Sequence, residues 1–421
     1  MRSYGATMQI VAVTLTSPFG RPENLPPALC RDFDIFQLAD PETDPHLALL
    51  AVQRGAPDIF WTPRNGGHWV AIQADAVEAI LQDPQRFSSE CIFVPRKPPE
   101  AQRELPIECD PPRHSVIRRP LVMGLLPATI DRREPAIRGL AAELIDGFAD
   151  RGECEFVAEF AQVFPICVFL DLVQLPRSDR HFLVPIAKKV IGGRTPAIRQ
   201  EGIEALVAYI LPVVRSRRER PGEDLLSPLV NLMEGDEKIS ETDALAYVNT
   251  VLFAGLDTVA AMLSHVTRFL ALHPSHRHEL VEHLDDSAFM HNAIQELLRR
   301  HGIAAIGRVV SADMMYRGVS LCKGESIMLL TAMVGLDEHK HVKAAEVEFA
   351  RPRPQNHAAF GRGIHSCPGH ALARRELAIF LEEWLRRIPD FALAPGSTPV
   401  FSTGFVTSIA ALDLVWPRAR P

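Results

Sequence analysis

The stretch from Ser240 to His273 restricts the possible folds more than any other part of this chain. Ser240-Glu241-Thr242-Asp243 reads as a capping-box-like helix start, and nothing stops the helix before Pro274, which disfavours helical geometry in the residue ahead of it. A helix of about 33 residues is roughly 50 Å long at 1.5 Å per residue, enough to cross a whole domain. Its middle, Thr250 to Ala261, is apolar nearly all round, which predicts burial. Gly255, Asp257 and Thr258 interrupt that apolar run where burial is deepest. Glycine there costs about 1 kcal/mol against alanine, and a buried carboxylate costs more unless it is partnered.

The rest of the chain builds around such a helix. Further helical periodicity covers Asp75–Gln82, Pro135–Ala149, Thr195–Arg218, Ser275–Leu284, Ala288–Arg300 and Gly369–Ile388. Short strand-like runs lie at His68–Gln73, Arg308–Asp313, Ser326–Leu330 and Ala411–Trp416. The 34 prolines are spread along the chain and mark no single boundary. The reading is one mainly α domain over residues 1–421, with small β-sheets. Hydrophobic residues at 47% allow a core large enough to enclose a cofactor. A net charge of −7 gives no overall basic field to recommend nucleic acid as a partner. The apolar run Met8–Leu15 is too short to span a bilayer, so the expectation is a cytoplasmic protein without a membrane partner.

Seven cysteines are scattered with no CxxC pair, which argues against a disulfide framework or a zinc site. Cys367 stands apart from the others. It lies in Phe360-Gly361-Arg362-Gly363-Ile364-His365-Ser366-Cys367-Pro368-Gly369, ahead of an apolar-periodic helix. The glycines permit a tight loop whose amides can point at the sulfur. Pro368 suits a first helical position, which would set Cys367 at a helix N-terminus and favour its thiolate. An isolated cysteine in a turn would instead read as a small buried hydrophobe.

This segment resembles the haem-binding loop of the cytochrome P450 family, Phe-x-x-Gly-x-His/Arg-x-Cys-x-Gly, with Phe360, Gly363, His365, Cys367 and Gly369 at the fixed positions. Three further matches follow in family order. Glu296-Leu297-Leu298-Arg299 looks like the pair that supports the cysteine loop, with Arg351 as its first candidate partner and Arg353 as the second. Ala254-Gly255-Leu256-Asp257-Thr258 looks like the oxygen-activation motif, in which a hydroxyl and a carboxylate relay protons at a distortion of the helix. Without the other motifs, Thr258 would read as bonding back to its own helix. Asp110-Pro111-Pro112-Arg113-His114-Ser115-Val116-Ile117-Arg118 opens a helix that sets His114 and Arg118 on one face. Other segments, such as Trp61 to Trp69, are similar to the bacterial camphor-hydroxylase branch.

The resemblance implies the haem-thiolate fold and haem b as cofactor, with Cys367 ligating iron. His114, Arg118, Arg308 and His365 would bind propionates, beside Phe360 and Gly361. It implies a monooxygenase using O2, with Asp257 and Thr258 handling protons. The substrate pocket would be lined by Phe93, Gln102, Phe253, Ala304 and Val406, with Gln102 standing where camphor hydroxylases carry a tyrosine. That change favours an ionone-like terpenoid or norisoprenoid ketone over camphor, with a small aromatic or a fatty acid still open. The chain shows no GxGxxG after a strand, so electrons would come from outside; the resemblance to the camphor-hydroxylase branch implies a [2Fe–2S] ferredoxin as donor, docking near Arg118, Arg119, Arg362, Arg374 and Arg375. A haem-thiolate peroxygenase or isomerase, or a non-catalytic haem sensor, would use the same cysteine.

Overall fold

The long helix runs from Glu241 to Leu272 and the other elements pack around it. Its start is capped as the sequence predicts: the Ser240 hydroxyl accepts the Asp243 amide at 3.0 Å, a bond worth about 1 kcal/mol. The helix ends at Leu272, and the next one, Pro274–Glu282, opens with proline at its first position. Tyr247, Leu263, Val266 and Leu270 are fully buried along it, each apolar chain contributing about 1.5–3 kcal/mol. This is the one helix among the described residues with the length and apolar composition to cross a membrane, and 59% of that window is buried inside the fold.

The computed structural model describes residues 22, 25–38, 44–98, 101–192 and 196–418. The run Met8–Leu15 and the first residue of the helix expected at Thr195 fall outside these. The expected helices are found at Ala74–Leu81, Glu134–Asp146, Pro196–Glu219, Ser287–Arg300 and His370–Arg387. Val163–Leu172 is a helix without a sequence signature, because eight of its ten residues are buried and it has no polar face to give a period. Aromatic rings within the same core lock the His370–Arg387 helix in place: Trp384 meets Phe156 edge-on at 5.2 Å, and Phe380 lies 5.2 Å from Phe160.

The main sheet has five strands in the order Ile59–Thr62, His68–Ala71, Ser326–Leu330, Ala305–Val310, Phe87–Ser88. All pairs are antiparallel except His68–Ala71 with Ser326–Leu330. Arg308 pairs with Ile327 in this register. Ala304, just ahead of its strand, bridges Val406, which brings a C-terminal turn to the cavity described next.

Candidate functional site

Between the long helix and the cysteine loop lies a cavity of about 1970 Å³. Pockets for a single small ligand usually measure about 300–1,000 Å³, so this space has room for a large cofactor and a substrate together. Cys367 is the only cysteine among the described residues on its wall. The cysteine loop is held by backbone bonds: the Cys367 amide donates to Phe360 O at 2.8 Å and the Ser366 amide to Gly363 O at 3.1 Å. Gly363 has φ +71°, and a Cβ there would lie 2.4 Å from Leu81 O, so only glycine lets the loop seat against the end of the Ala74–Leu81 helix. The helix after the loop starts at His370, two residues later than expected, so Pro368 precedes it. Burial raises the Cys367 thiol, opposed by the Gly369 amide, Arg118 and Arg374. The loop alone therefore does not make a thiolate; a coordinated metal does.

Behind the loop sits a closed charge network. Arg299 donates to Glu296 through Nε at 2.7 Å and Nη2 at 2.8 Å, and Arg351 Nε reaches Glu296 Oε1 at 2.8 Å. The remaining guanidinium hydrogens go to the carbonyls of Gly335, Ala344, Glu346 and Val342. Arg351 is thus the partner, while Arg353 is exposed with φ +55°.

A different cluster lies beside the loop. Arg308 is buried, and its one hydrogen bond among the described residues goes to Gly307 O. The His365 ring packs 4.2 Å from that of His114, and Arg118 donates to Ser366 O. Arg118, Arg308 and His365 line the cavity; His114 stands behind His365. Among the described residues, both ring nitrogens of His365 and Nε2 of His114 have no hydrogen-bond partner. Burial, then Arg308, His114 and Arg118, push His365 down to about 2. Burial and Arg118 hold His114 near 4, and burial brings Arg308 to about 10. The closest acid, Asp110, is already engaged with Ser88 and the Ser89 amide. Buried donors crowded this way fit carboxylates, as the propionates of haem would supply.

Asp257 and Thr258 line the opposite wall. The helix is continuous through Gly255–Thr258, which corrects the expected distortion. Its backbone ladder persists, and the Thr258 hydroxyl donates to Ala254 O at 2.7 Å without breaking it. Asp257 has no hydrogen-bond or ion-pair partner among the described residues, and burial pushes its carboxyl up to about 6. A Cβ on Gly255 would meet nothing within 4 Å, so the cavity reaches the helix backbone there.

Phe93, Phe253, Ala304 and Val406 line the cavity, as do Phe360 and Gly361. Gln102 does not. It is exposed and donates Nε2 to Thr242 O at 3.1 Å, at the start of the long helix. Its segment is irregular and rich in proline, and the side chain turns to a carbonyl in the first turn of the long helix. Three polar groups went unrecognised in the sequence. Thr250 and Glu104 face the cavity, with the Thr250 hydroxyl 2.8 Å from Glu104 Oε2 and 2.9 Å from Ala246 O. The spacing Thr250, Ala254, Thr258 places all three on one helical face and is a signal for the first. Glu376, on the helix after the loop, is buried and raised to about 8 by burial.

A loop cysteine facing an apolar cavity across from a half-buried acid–hydroxyl pair, with cations lacking an anion at the edge, defines a haem-thiolate protein. The comparisons agree. The family model described as cytochrome P450 matches residues 172–405. A probable cytochrome P450 127A1 of Sinorhizobium fredii is 32% identical over 404 residues, covering 94% of this chain and 96% of that one. A steroid C26-monooxygenase of Mycobacterium tuberculosis is 28% identical, covering 85% and 97%. Two crystal structures, of CYP101J2 and CYP101C1, superpose with TM-score 0.86 at 34% and 33% identity, covering 95% and 94% of this chain and all of theirs. The chain belongs to the cytochrome P450 family, in its bacterial, camphor-hydroxylase-like branch. It is a haem b monooxygenase with cysteine-thiolate ligation of iron.

Proposed function

We propose that this chain hydroxylates a small hydrophobic substrate of terpenoid or norisoprenoid size, including ionone-like ketones, in the cytoplasm with electrons from a [2Fe–2S] ferredoxin. The observation that supports this most is the pairing, across one cavity, of Cys367 with the unpartnered Asp257 and with Thr258. Bound haem supplies dioxygen activation, which thiolate ligation favours by pushing electron density toward O–O cleavage. Cys367 would ligate the iron. Arg308, His365 and Arg118, backed by His114, would hold the propionates, and Phe360 and Gly361 would help to line the cofactor's site. One oxygen atom enters a C–H bond and the other leaves as water, so the reaction consumes protons and electrons. Asp257, with a pKa near 6, can hold or pass a proton at neutral pH, and the Thr258 hydroxyl can relay it.

Phe93, Phe253, Ala304 and Val406 confine the substrate. Thr250 has one proton and already two acceptors, so shape, rather than a carbonyl contact, chooses the skeleton. Electrons reach the site from outside. Arg119 is exposed beside Val116 and Met123, whereas Arg362 and Arg375 are paired with Glu78 and Asp131, leaving Arg119 as the leading ferredoxin contact. The test is NADH consumption and product formation with ferredoxin, reductase and a panel of terpenoid ketones, aromatics and fatty acids. Substrate-dependent hydroxylation that needs ferredoxin supports the reading. Product formed equally with peroxide alone indicates a peroxygenase, and no turnover at all indicates a sensor. Cys367→His should abolish the thiolate signature of the reduced carbon monoxide complex.

A further inference from the structure

Three buried histidines meet in a second place, behind the cavity wall. His46 opens the helix Pro45–Arg54, His265 lies on the long helix and His301 caps the helix Ser287–Arg300. They are 1%, 3% and 4% exposed. Each offers a ring nitrogen, and the three nitrogens lie within 4.8 Å of one another. Among the described residues His301 has no hydrogen-bond partner at either nitrogen. His265 Nε2 faces Thr407 O at 3.1 Å, so a proton on Nε2 leaves the Nδ1 lone pair free. The Asp44 carboxylate lies 3.2 Å from His46 Nδ1, and His46 Nε2 meets Gly302 O at 2.8 Å.

Buried polar atoms are normally paired. His46 already donates Nε2 to Gly302 O, so the free lone pairs are those of His265 Nδ1 and of His301, and at this depth they call for a shared Lewis acid. We propose that His46, His265 and His301 form a structural site for a borderline divalent transition metal, with zinc as the reference ion. Hard cations such as calcium and magnesium need oxygen ligands, which the trio does not provide. Arg300 sits 3.0 Å from Asp44, so long-range attraction is weak and affinity must come from nitrogen donation, which suits zinc and its neighbours. Asp44 behind His46 gives the carboxylate–histidine arrangement that orients metal-binding imidazoles. Zinc–nitrogen bonds of about 2.0–2.1 Å put tetrahedral ligands about 3.4 Å apart, so closure takes small ring rotations and the exchange of the Gly302 contact for the metal.

The site ties together three segments of the cavity wall. Ile303 and Ala304 follow His301, Met262 precedes His265, and Val406 and Ser408 flank Thr407, whose amide donates to Ile303 O at 2.8 Å. Occupancy should therefore stiffen the wall and change substrate affinity.

The experiment uses haem-loaded, tag-free full chain, stripped with chelator, reloaded with zinc alone and desalted. We expect about one retained zinc per chain with a shell of three imidazole nitrogens and no sulfur by zinc-edge X-ray absorption. His301→Phe and His265→Phe, each with an aromatic neighbour to pack on in Phe269 and Phe401, should keep the thiolate–carbon monoxide signature and weaken zinc retention about 10- to 100-fold. No retained zinc in the parent, a sulfur- or oxygen-dominated shell, or undiminished zinc in a variant that keeps the haem signature overturns the proposal. Should both variants misfold, the parent's absorption spectrum decides alone.

Discussion

Two of the places where arginines are buried in this molecule treat them in opposite ways. At Glu296 every guanidinium is matched by hydrogen-bond acceptors: the one carboxylate takes both Arg299 and Arg351, and backbone carbonyls take the remaining guanidinium hydrogens. At Arg308 the same group has one carbonyl, Arg118 adds a second positive charge, and the neutral rings of His114 and His365 offer no anion to offset them. An uncompensated buried charge costs several kcal/mol, so an interior tolerates the second arrangement where an anionic ligand offsets it. Matched buried charge marks scaffold, and unmatched buried charge marks a place for a ligand or a proton.

The largest effect should come from Glu296→Gln, which strands two buried guanidinium groups. Removing one partner of such a network costs about 3–5 kcal/mol, so denaturant unfolding should shift strongly and haem loading should fail in parallel. Arg308→Leu is the counterpart. It removes a cation whose burial is uncompensated in the protein alone, so stability of the haem-free chain should hold or rise. Haem affinity should fall about 10- to 100-fold, as a charge-assisted bond of about 1.5–3 kcal/mol implies. A haem-free Arg308→Leu chain as damaged as Glu296→Gln would erase the distinction.

Asp257 extends the comparison to a proton. Its folded pKa, near 6, is above the ordinary carboxylate value of 3.8. The stability linked to its proton is therefore fully present below about pH 4 and lost as pH rises through about 6. Asp257→Asn should remove that slope and be the more stable protein at pH 7, while product formation slows because an amide cannot ionise. Thr258→Ala should preserve stability and haem binding but divert NADH into hydrogen peroxide. A parent whose coupling shows no inflection between about pH 5 and 7 would take Asp257 out of proton delivery.

What could be read in the sequence follows the same division. The long helix was legible because its cap and its terminating proline are local signals, and the cysteine loop because its glycines stand at fixed spacing around Cys367. Arg351 could be placed ahead of Arg353 only as a candidate, since the choice depends on which side chain turns inward. Gln102 could not be placed: an irregular, proline-rich segment has no period, so nothing local says that its amide turns to Thr242 O. The histidine trio is invisible for a different reason. His46, His265 and His301 lie on three separate elements, and each alone reads as an ordinary core residue.

The smallest expected effect tests the rule where it is least obvious, on the cavity wall itself. Thr250 faces the substrate space, yet its hydroxyl is matched by Glu104 and by Ala246 O. On the argument above, it belongs to the scaffold. Thr250→Val keeps the shape and removes the hydroxyl, so stability should fall by about 0.5–1.5 kcal/mol, the net worth of one such bond. Spectral binding of a terpenoid ketone and of its deoxygenated hydrocarbon should then change by the same factor, because neither used the hydroxyl. A loss confined to the ketone would mean that Thr250 turns from Glu104 to the substrate carbonyl. Matching would then be a property of the substrate-free cavity alone, and the carbonyl anchor first sought at Gln102 would lie on the long helix.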